Sequence, residues 1–212
     1  MQMRNPSFFS GIWETITRFF RSLFSCCSTP EATTEKIQEI ASRDHFVWFY
    51  KKEENLLTAF LGNFYPSKIH LWDFEFQCAE AAFQAAKFTD PSVIRRFQRL
   101  DGQAAFRLGR QLTQNWERRD RDNWRARNLA VMDAVLHAKF SQNPRLKELL
   151  LATGDAYLVE HIPVKGRDAF WGDDSDGTGQ NWLGTKLMEV RRRLGGSGHV
   201  AGHPNYDAFL RR

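Results

Sequence analysis

Cysteine is scarce in this sequence: Cys26, Cys27 and Cys78 are the only three in 212 residues. Three thiols build no disulfide framework, and neither C-x-x-C nor a Cys/His zinc spacing occurs. A reducing compartment follows, with the cytoplasm as the expected location. Long apolar runs are absent too. None approaches the roughly 20 residues of a membrane span, and no signal peptide with a small-residue cleavage site is evident. G-x-S-x-G, H-E-x-x-H and G-x-G-x-x-G are all missing, so serine-hydrolase, zinc-protease and Rossmann readings have no support. No metal and no cofactor is expected. Charge of one sign is also lacking: 30 Lys and Arg stand against 25 Asp and Glu, a net +5. That balance permits nucleic acid, an acidic membrane or a phosphorylated small molecule as partner without choosing among them.

Aromatic residues are abundant, with 18 Phe and 7 Trp, and such a composition argues against disorder. Over 7–24 (SFFSGIWETITRFFRSLF) the apolar residues recur at i, i+3, i+4 and i+7. This predicts an N-terminal amphipathic helix, followed at once by Cys26-Cys27. Residues 7–27 suit either a membrane surface, with palmitoylated cysteines, or a protein partner, since both need the same apolar stripe. The organisation expected is 1–27 amphipathic helix and Cys-Cys, 28–44 linker with a short helix, 45–195 one catalytic-type domain, and 196–212 a Gly-rich tail.

Inside 45–195, His45–Lys51 and Ile69–Phe76 read as strands, with Tyr157–Pro163 and Asp168–Trp171 as further candidates. Helices are expected over Cys78–Phe88, Ser92–Leu100, Gln103–Arg110, Ala126–Phe140, from Pro144 to Leu151, and over Thr185–Leu194. Helices outnumber short strands, which predicts an α-rich α+β domain with a small β-sheet rather than a parallel α/β sheet. Arg118, Arg119, Arg121, Arg125 and Arg127 are interleaved with Glu117, Asp120 and Asp122. Mixed signs of this kind read as a solvated helix face.

Three segments carry candidate chemistry. On a helix through AEAAFQAAKF (79–88), Glu80, Phe83, Gln84 and Lys87 share one face. Glu80 and Lys87 lie two turns apart, about 10 Å along the axis, and can reach toward one pocket, although an exposed face of ordinary charges would give the same spacing. The Gly- and Asp-rich stretch FWGDDSDGTGQNWLG (170–184) runs into a helix N-terminus, as phosphate-binding loops do. It is no Walker A loop, because Thr185 precedes Lys186. It is no EF-hand either, because the twelfth position from Asp174 is Thr185 rather than Glu. A turn with core tryptophans explains it equally well. Finally, Glu160 sits between apolar neighbours in Val159-Glu160-His161. A half-buried carboxyl there has a raised pKa, which suits acid–base work, or it caps a loop or pairs with arginine.

Taken in order, several of these segments resemble the NADAR (YbiA-like) family of N-glycosidases. The elements are Phe60-Leu61-Gly62-Asn63-Phe64, Ala79–Phe88, Asn123-Trp124 with Met132 and Ala138-Lys139-Phe140, Leu149–Thr153, Leu158-Val159-Glu160, Trp171-Gly172-Asp173, and Gly179-x-Asn181-x-Leu183-Gly184. Each is weak alone; together, in order and over about 150 residues, they are specific. The sequence departs from the family pattern at Ala79, Ala81 and Ala82 beside Glu80, and 115–122 has the character of an insertion.

The resemblance implies hydrolysis of a ribose C1′–N bond. The substrate expected first is ADP-ribosylated guanine, as nucleoside or in nucleic acid. Riboflavin-pathway ribosylamine intermediates or another ribosylated small molecule are the alternative, and a module that binds ADP-ribose or NAD without cleaving it is a third reading. Glu80, Lys87 and Asp173 are the implied catalytic residues, and Asn63, Phe64, Gln84, Trp124, Glu160, Trp171, Gly172 and Asn181 the implied substrate contacts. Cleavage builds positive charge on the sugar, which Glu80 or Asp173 would stabilise. A ribose opened to an imine would offer C1′ to Lys87. Trp124 and Trp171 would stack on the base or wall the pocket.

Overall fold

The computed structural model describes residues 29–50 and 56–196. The expected helix over 7–24, the Cys26-Cys27 pair and the tail from 197 onward lie outside these residues. The described chain is helix-rich with short strands. Among the described residues, no helix is long and apolar enough to cross a membrane.

The first helix, α1 (Pro30–Asp44), is the short helix expected within 28–44, and it fills nearly the whole of that segment. Thr29 caps it by accepting from the Ala32 N–H, and Pro30 opens it. The polar composition was misleading because only one narrow stripe is apolar, with Ile37 and Ala41 buried in the core. Strand β1 (Phe46–Phe49) pairs in parallel with β4 (Tyr157–Glu160), so more than a hundred residues form the crossover between them. Val47, Phe49, Leu158 and Val159 bury this pair.

The single strand expected over Ile69–Phe76 is instead a hairpin of β2 (Pro66–Leu71) and β3 (Phe74–Cys78), antiparallel. Trp72 and Asp73 both take left-handed φ, 52° and 64°, as a two-residue hairpin turn requires. The sheet content is therefore two separate pairs. Helix α2 (Ala79–Ala85) follows β3 directly and is shorter than the expected Cys78–Phe88. Then come α3 (Pro91–Arg95), α4 (Gly102–Thr113), α5 (Arg118–Gln142), α6 (Pro144–Ala152) and α7 (Trp182–Arg193). Helix α5 joins two apolar clusters. Met132, Leu136 and Phe140 face the one around β1, β4, α1, α6 and α7, while Val135 and Ala138 face the one beneath the hairpin and α2.

Candidate active site

All seven residues of α2 are buried, which removes the exposed-face reading of this segment. Its alanines at 79, 81, 82 and 85 are no more than 1% exposed and let α4 approach closely. Gly109 of α4 passes so near that a Cβ there would stand 2.0 Å from Gln84 Oε1. The polar residues of α2 form a relay in this dry setting. Lys87 Nζ, just past the helix end, donates to Gln84 Oε1 at 2.7 Å, and Gln84 Nε2 donates to Glu80 Oε1 at 2.7 Å. Burial pushes the Glu80 carboxyl up to about 7, against the hydrogen bond from Gln84 and the charge of Lys87. Burial also lowers Lys87, with Glu80 opposing.

Aromatic rings enclose this relay. Phe83 meets Trp124 at 5.1 Å and Trp171 at 5.4 Å, both edge to face. Lys87 Nζ stands 5.6 Å from the Trp124 ring centre. Carboxyl groups converge from the other side. Glu160, at the end of β4, is raised to about 8 by desolvation first, then by Asp168, Glu80 and Asp173. Two neighbours fix its backbone: its N–H donates to Asn181 Oδ1 at 3.0 Å, and its carbonyl accepts from the Asp173 N–H at 3.0 Å.

Asn63 and Phe64 arrive from the short 3-10 turn Ala59–Leu61. The Asn63 carbonyl accepts from the Glu80 N–H at 3.0 Å, which ties this turn to the start of α2. The Asn63 side chain donates to Met132 Sδ at 3.4 Å, and its Oδ1 is buried without a hydrogen bond. Phe64 is 44% exposed and lies against Gly102, where a Cβ would come within 2.7 Å of it.

The loop 161–181 is organised differently from the expectation. Asp168–Trp171 is a turn, not a strand, because Asp168 Oδ1 accepts from the N–H groups of Phe170 and Trp171 at 3.3 and 3.0 Å. Asp173 is fully buried: Oδ1 accepts from the Ile162 and Ser175 N–H groups, and Oδ2 lies 2.7 Å from His161 Nδ1. Asn181, in left-handed conformation, spends both ends of its amide on β4, with Nδ2 donating to the Leu158 carbonyl at 2.9 Å. Gly172 packs against the Glu160 carbonyl and Ile162, where a Cβ would clash at 2.6 and 2.3 Å. Asp173, Asn181 and Gly172 thus pack around the Glu160 backbone, whereas Glu80, Gln84 and Lys87 are hydrogen-bonded in series and Trp124 and Trp171 both meet Phe83. Among the described residues, no His/Cys/Asp/Glu group is arranged to hold a metal ion.

Three residues escaped the sequence reading. Asp168 is close enough to raise both Glu80 and Glu160, but an aspartate opening a turn carries no distinguishing signal. Asn128, one turn from Trp124 and one from Met132, has a buried Oδ1 without a hydrogen bond. Lys139 had a legible signal, since it falls in the apolar phase of α5. It is fully buried, donates to the carbonyls of Phe60 at 2.7 Å and Gly62 at 2.8 Å, and is lowered to about 7 by desolvation. It braces the turn that presents Asn63.

The family model described as "NADAR domain" matches residues 48–195, the span that contains this whole arrangement. The chain belongs to the NADAR family. Its relatives within and around that family include the N-glycosidase YbiA of Shigella flexneri, 35% identical over 161 residues, covering 76% of this chain and 94% of that protein. A riboflavin biosynthesis protein of Vibrio vulnificus, VVA0006, is 42% identical over 149 residues, covering 70% of this chain but only 38% of its own length. The NMR structure of Escherichia coli YbiA superposes with a TM-score of 0.58 at 35% identity, covering 73% of this chain and 90% of that one. The family match begins at residue 48.

Proposed function

We propose that this NADAR domain is an N-glycosidase that hydrolyses a ribose C1′–N bond, and that its substrate is ADP-ribosylated guanine, from which it releases ADP-ribose. One observation carries the reading: a buried carboxyl and amide, Glu80 and Gln84, are joined in series to the half-buried amine of Lys87 beside an aromatic wall, with the carboxyl of Glu160 close by. C1′–N cleavage needs a negative group near the sugar and a proton for the leaving nitrogen. Glu80 supplies the first in its ionised form. Glu160, raised to about 8, holds its proton at neutral pH and supplies the second. Lys87, whose amine burial lowers below the ordinary lysine range, would attack C1′ of an opened ribose. Lys87 Nζ adds to the C1′ imine, guanine departs with its amine protonated, and water hydrolyses the lysine imine to free Lys87 and the sugar aldehyde. Asp173 and Asn181 act in this scheme by holding Glu160 in place.

The test is release of ADP-ribose from ADP-ribosylated guanosine by the full chain, followed by mass spectrometry. Borohydride during turnover is expected to fix a sugar adduct on Lys87. If Glu80→Gln and Lys87→Ala both retain full turnover, the mechanism is wrong. A second reading, cleavage of ribosylamine intermediates, is favoured by the names of two relatives, the Vibrio protein and the maize riboflavin biosynthesis protein PYRR. Turnover of such a ribosylamine with no release from the guanosine adduct would select it.

A further inference from the structure

Contacts at both ends fix how α5 lies along α2. At one end, Met132 Sδ accepts from Asn63 Nδ2 at 3.4 Å, and the Asn63 carbonyl accepts from the Glu80 N–H at 3.0 Å. At the other end, Trp124 meets Phe83 at 5.1 Å and lies 5.6 Å from Lys87 Nζ. The stretch from Met132 back to Trp124 therefore runs alongside Glu80 to Lys87. Asn128 lies midway, one turn from Met132 and one from Trp124. Asn63 and Asn128 are each 8% exposed, and each holds a buried Oδ1 that no hydrogen-bond donor of the protein reaches. Among the described residues these are the only buried side-chain oxygens without a partner. Met132 links them, since it touches Asn63 directly and stands about 6 Å from Asn128 along the helix. Elsewhere the fold satisfies such groups: Asp173, fully buried, has both oxygens bonded.

An unpaired buried acceptor is unfavourable, and two beside one site call for a ligand that brings two donors. The donors on α2 are directed along their own helix, Gln84 Nε2 to Glu80 and Lys87 Nζ to Gln84. A flat base with neighbouring N–H groups on one edge supplies what is missing. A ring lactam beside an amine has that edge, as guanine does with N1–H and its 2-amino group. Adenine puts a ring acceptor there, which a carbonyl oxygen repels. We propose that Asn63 and Asn128 read the leaving base, accepting the N–H groups of a 2-aminolactam edge, and that they reject bases without a ring N–H. That this base is the leaving group rests on the glycosidase reading; the preference for such an edge does not.

The experiment is calorimetric titration of the full chain with guanosine, 1-methylguanosine and adenosine. Guanosine is expected to bind about tenfold tighter than either of the others. Asn128→Leu is expected to weaken guanosine about tenfold and to leave 1-methylguanosine unchanged, so that the preference disappears. Asn128→Asp, which keeps an acceptor oxygen at that position, is expected to retain the preference. Circular dichroism checks that the variants stay folded. Equal binding of guanosine and 1-methylguanosine by the parent chain, or no saturable binding of guanosine, overturns the proposal without any variant. Equal weakening of all three nucleosides by Asn128→Leu makes Asn128 a packing residue and overturns its part in base reading. Turnover of ADP-ribosylated guanosine separates the two readings. Release of ADP-ribose without the nucleoside preference removes the base contacts and keeps the glycosidase; the preference without release keeps the base contacts and removes the glycosidase.

Discussion

Two regions concentrate polar residues in the interior: the helix α2 with Lys87, and the loop 161–181 that runs into α7. Both are rich in carboxyl and amide groups, yet they use them in opposite ways. In the loop, Asn181 and one oxygen of Asp173 spend their hydrogen-bonding capacity on backbone groups of β4 and of the loop itself, while the other Asp173 oxygen meets His161 Nδ1. In α2, side chain meets side chain, and the members have displaced pKa values, up for Glu80 and down for Lys87. Groups satisfied by backbone hold a structure. Groups desolvated and bonded only to one another keep the capacity to exchange protons.

The largest expected effect falls on the α2 side. Glu80→Gln is predicted to lower turnover by about a hundred- to a thousandfold, the range of losing one aligned charge in a site, with the chain still folded. Near-normal turnover in this variant would break the comparison at its base. On the loop side, Asn181→Ala leaves the Glu160 N–H and the Leu158 carbonyl without their side-chain partners. Urea unfolding is expected to show a loss of about 2–4 kcal/mol. A stability equal to wild type would mean that the loop does not hold β4.

Gly109→Ala sharpens the contrast from outside both regions. The new Cβ would sit 2.0 Å from Gln84 Oε1, so the amide must swing away and the relay is interrupted. Turnover is expected to fall about tenfold while stability changes by only about 1 kcal/mol; an equal loss of both would show that the packing, rather than the relay, was injured. The smallest effect is on pH dependence. Glu80 and Glu160 are raised from 4.5 to about 7 and about 8. The folded state therefore retains protons that the unfolded chain has released, and stability falls as pH rises from about 5 to 7. Lys139, lowered to about 7, adds an opposite trend only above that range. After screening by solvent around Glu160, the net is about 1 kcal/mol, a fall of about 2–4 °C in Tm. Glu160→Gln should flatten it, and an unchanged slope in scanning calorimetry would remove Glu160 from the account.

Much of this was readable from the residues. The α-rich class follows from apolar spacing, and the family from motifs kept in order. The shared side of Glu80, Gln84 and Lys87 follows from helical periodicity. Other features were not readable, for reasons specific to each. Residues 28–44 were read as a linker with a short helix; that the helix fills nearly the whole segment was not legible, because burying only Ile37 and Ala41 leaves most of its sequence polar. The hairpin was mistaken for one strand because Trp72-Asp73 lacks the usual turn residues, although both adopt left-handed φ. Asp173 was read as catalytic and Asn181 as a substrate contact; their hydrogen bonds to the backbone were not legible, because an aspartate or asparagine in a Gly-rich loop has the same letters whether it meets substrate or its own backbone.

By itself the sequence determined the α-rich class and the shared side of Glu80, Gln84 and Lys87, since both depend on local periodicity. It also determined the family, since that depends on residue type and order. Only the tertiary structure decided which polar groups are spent and which are held in reserve. That distinction depends on what the fold brings up from a distant part of the chain. The backbone of β4 meets Asn181, Gly109 leaves room for Gln84, and rings from α5 and the loop close on Phe83 beside the buried Glu80. Desolvation and hydrogen-bond satisfaction are properties of those meetings, and they carry no trace in local sequence.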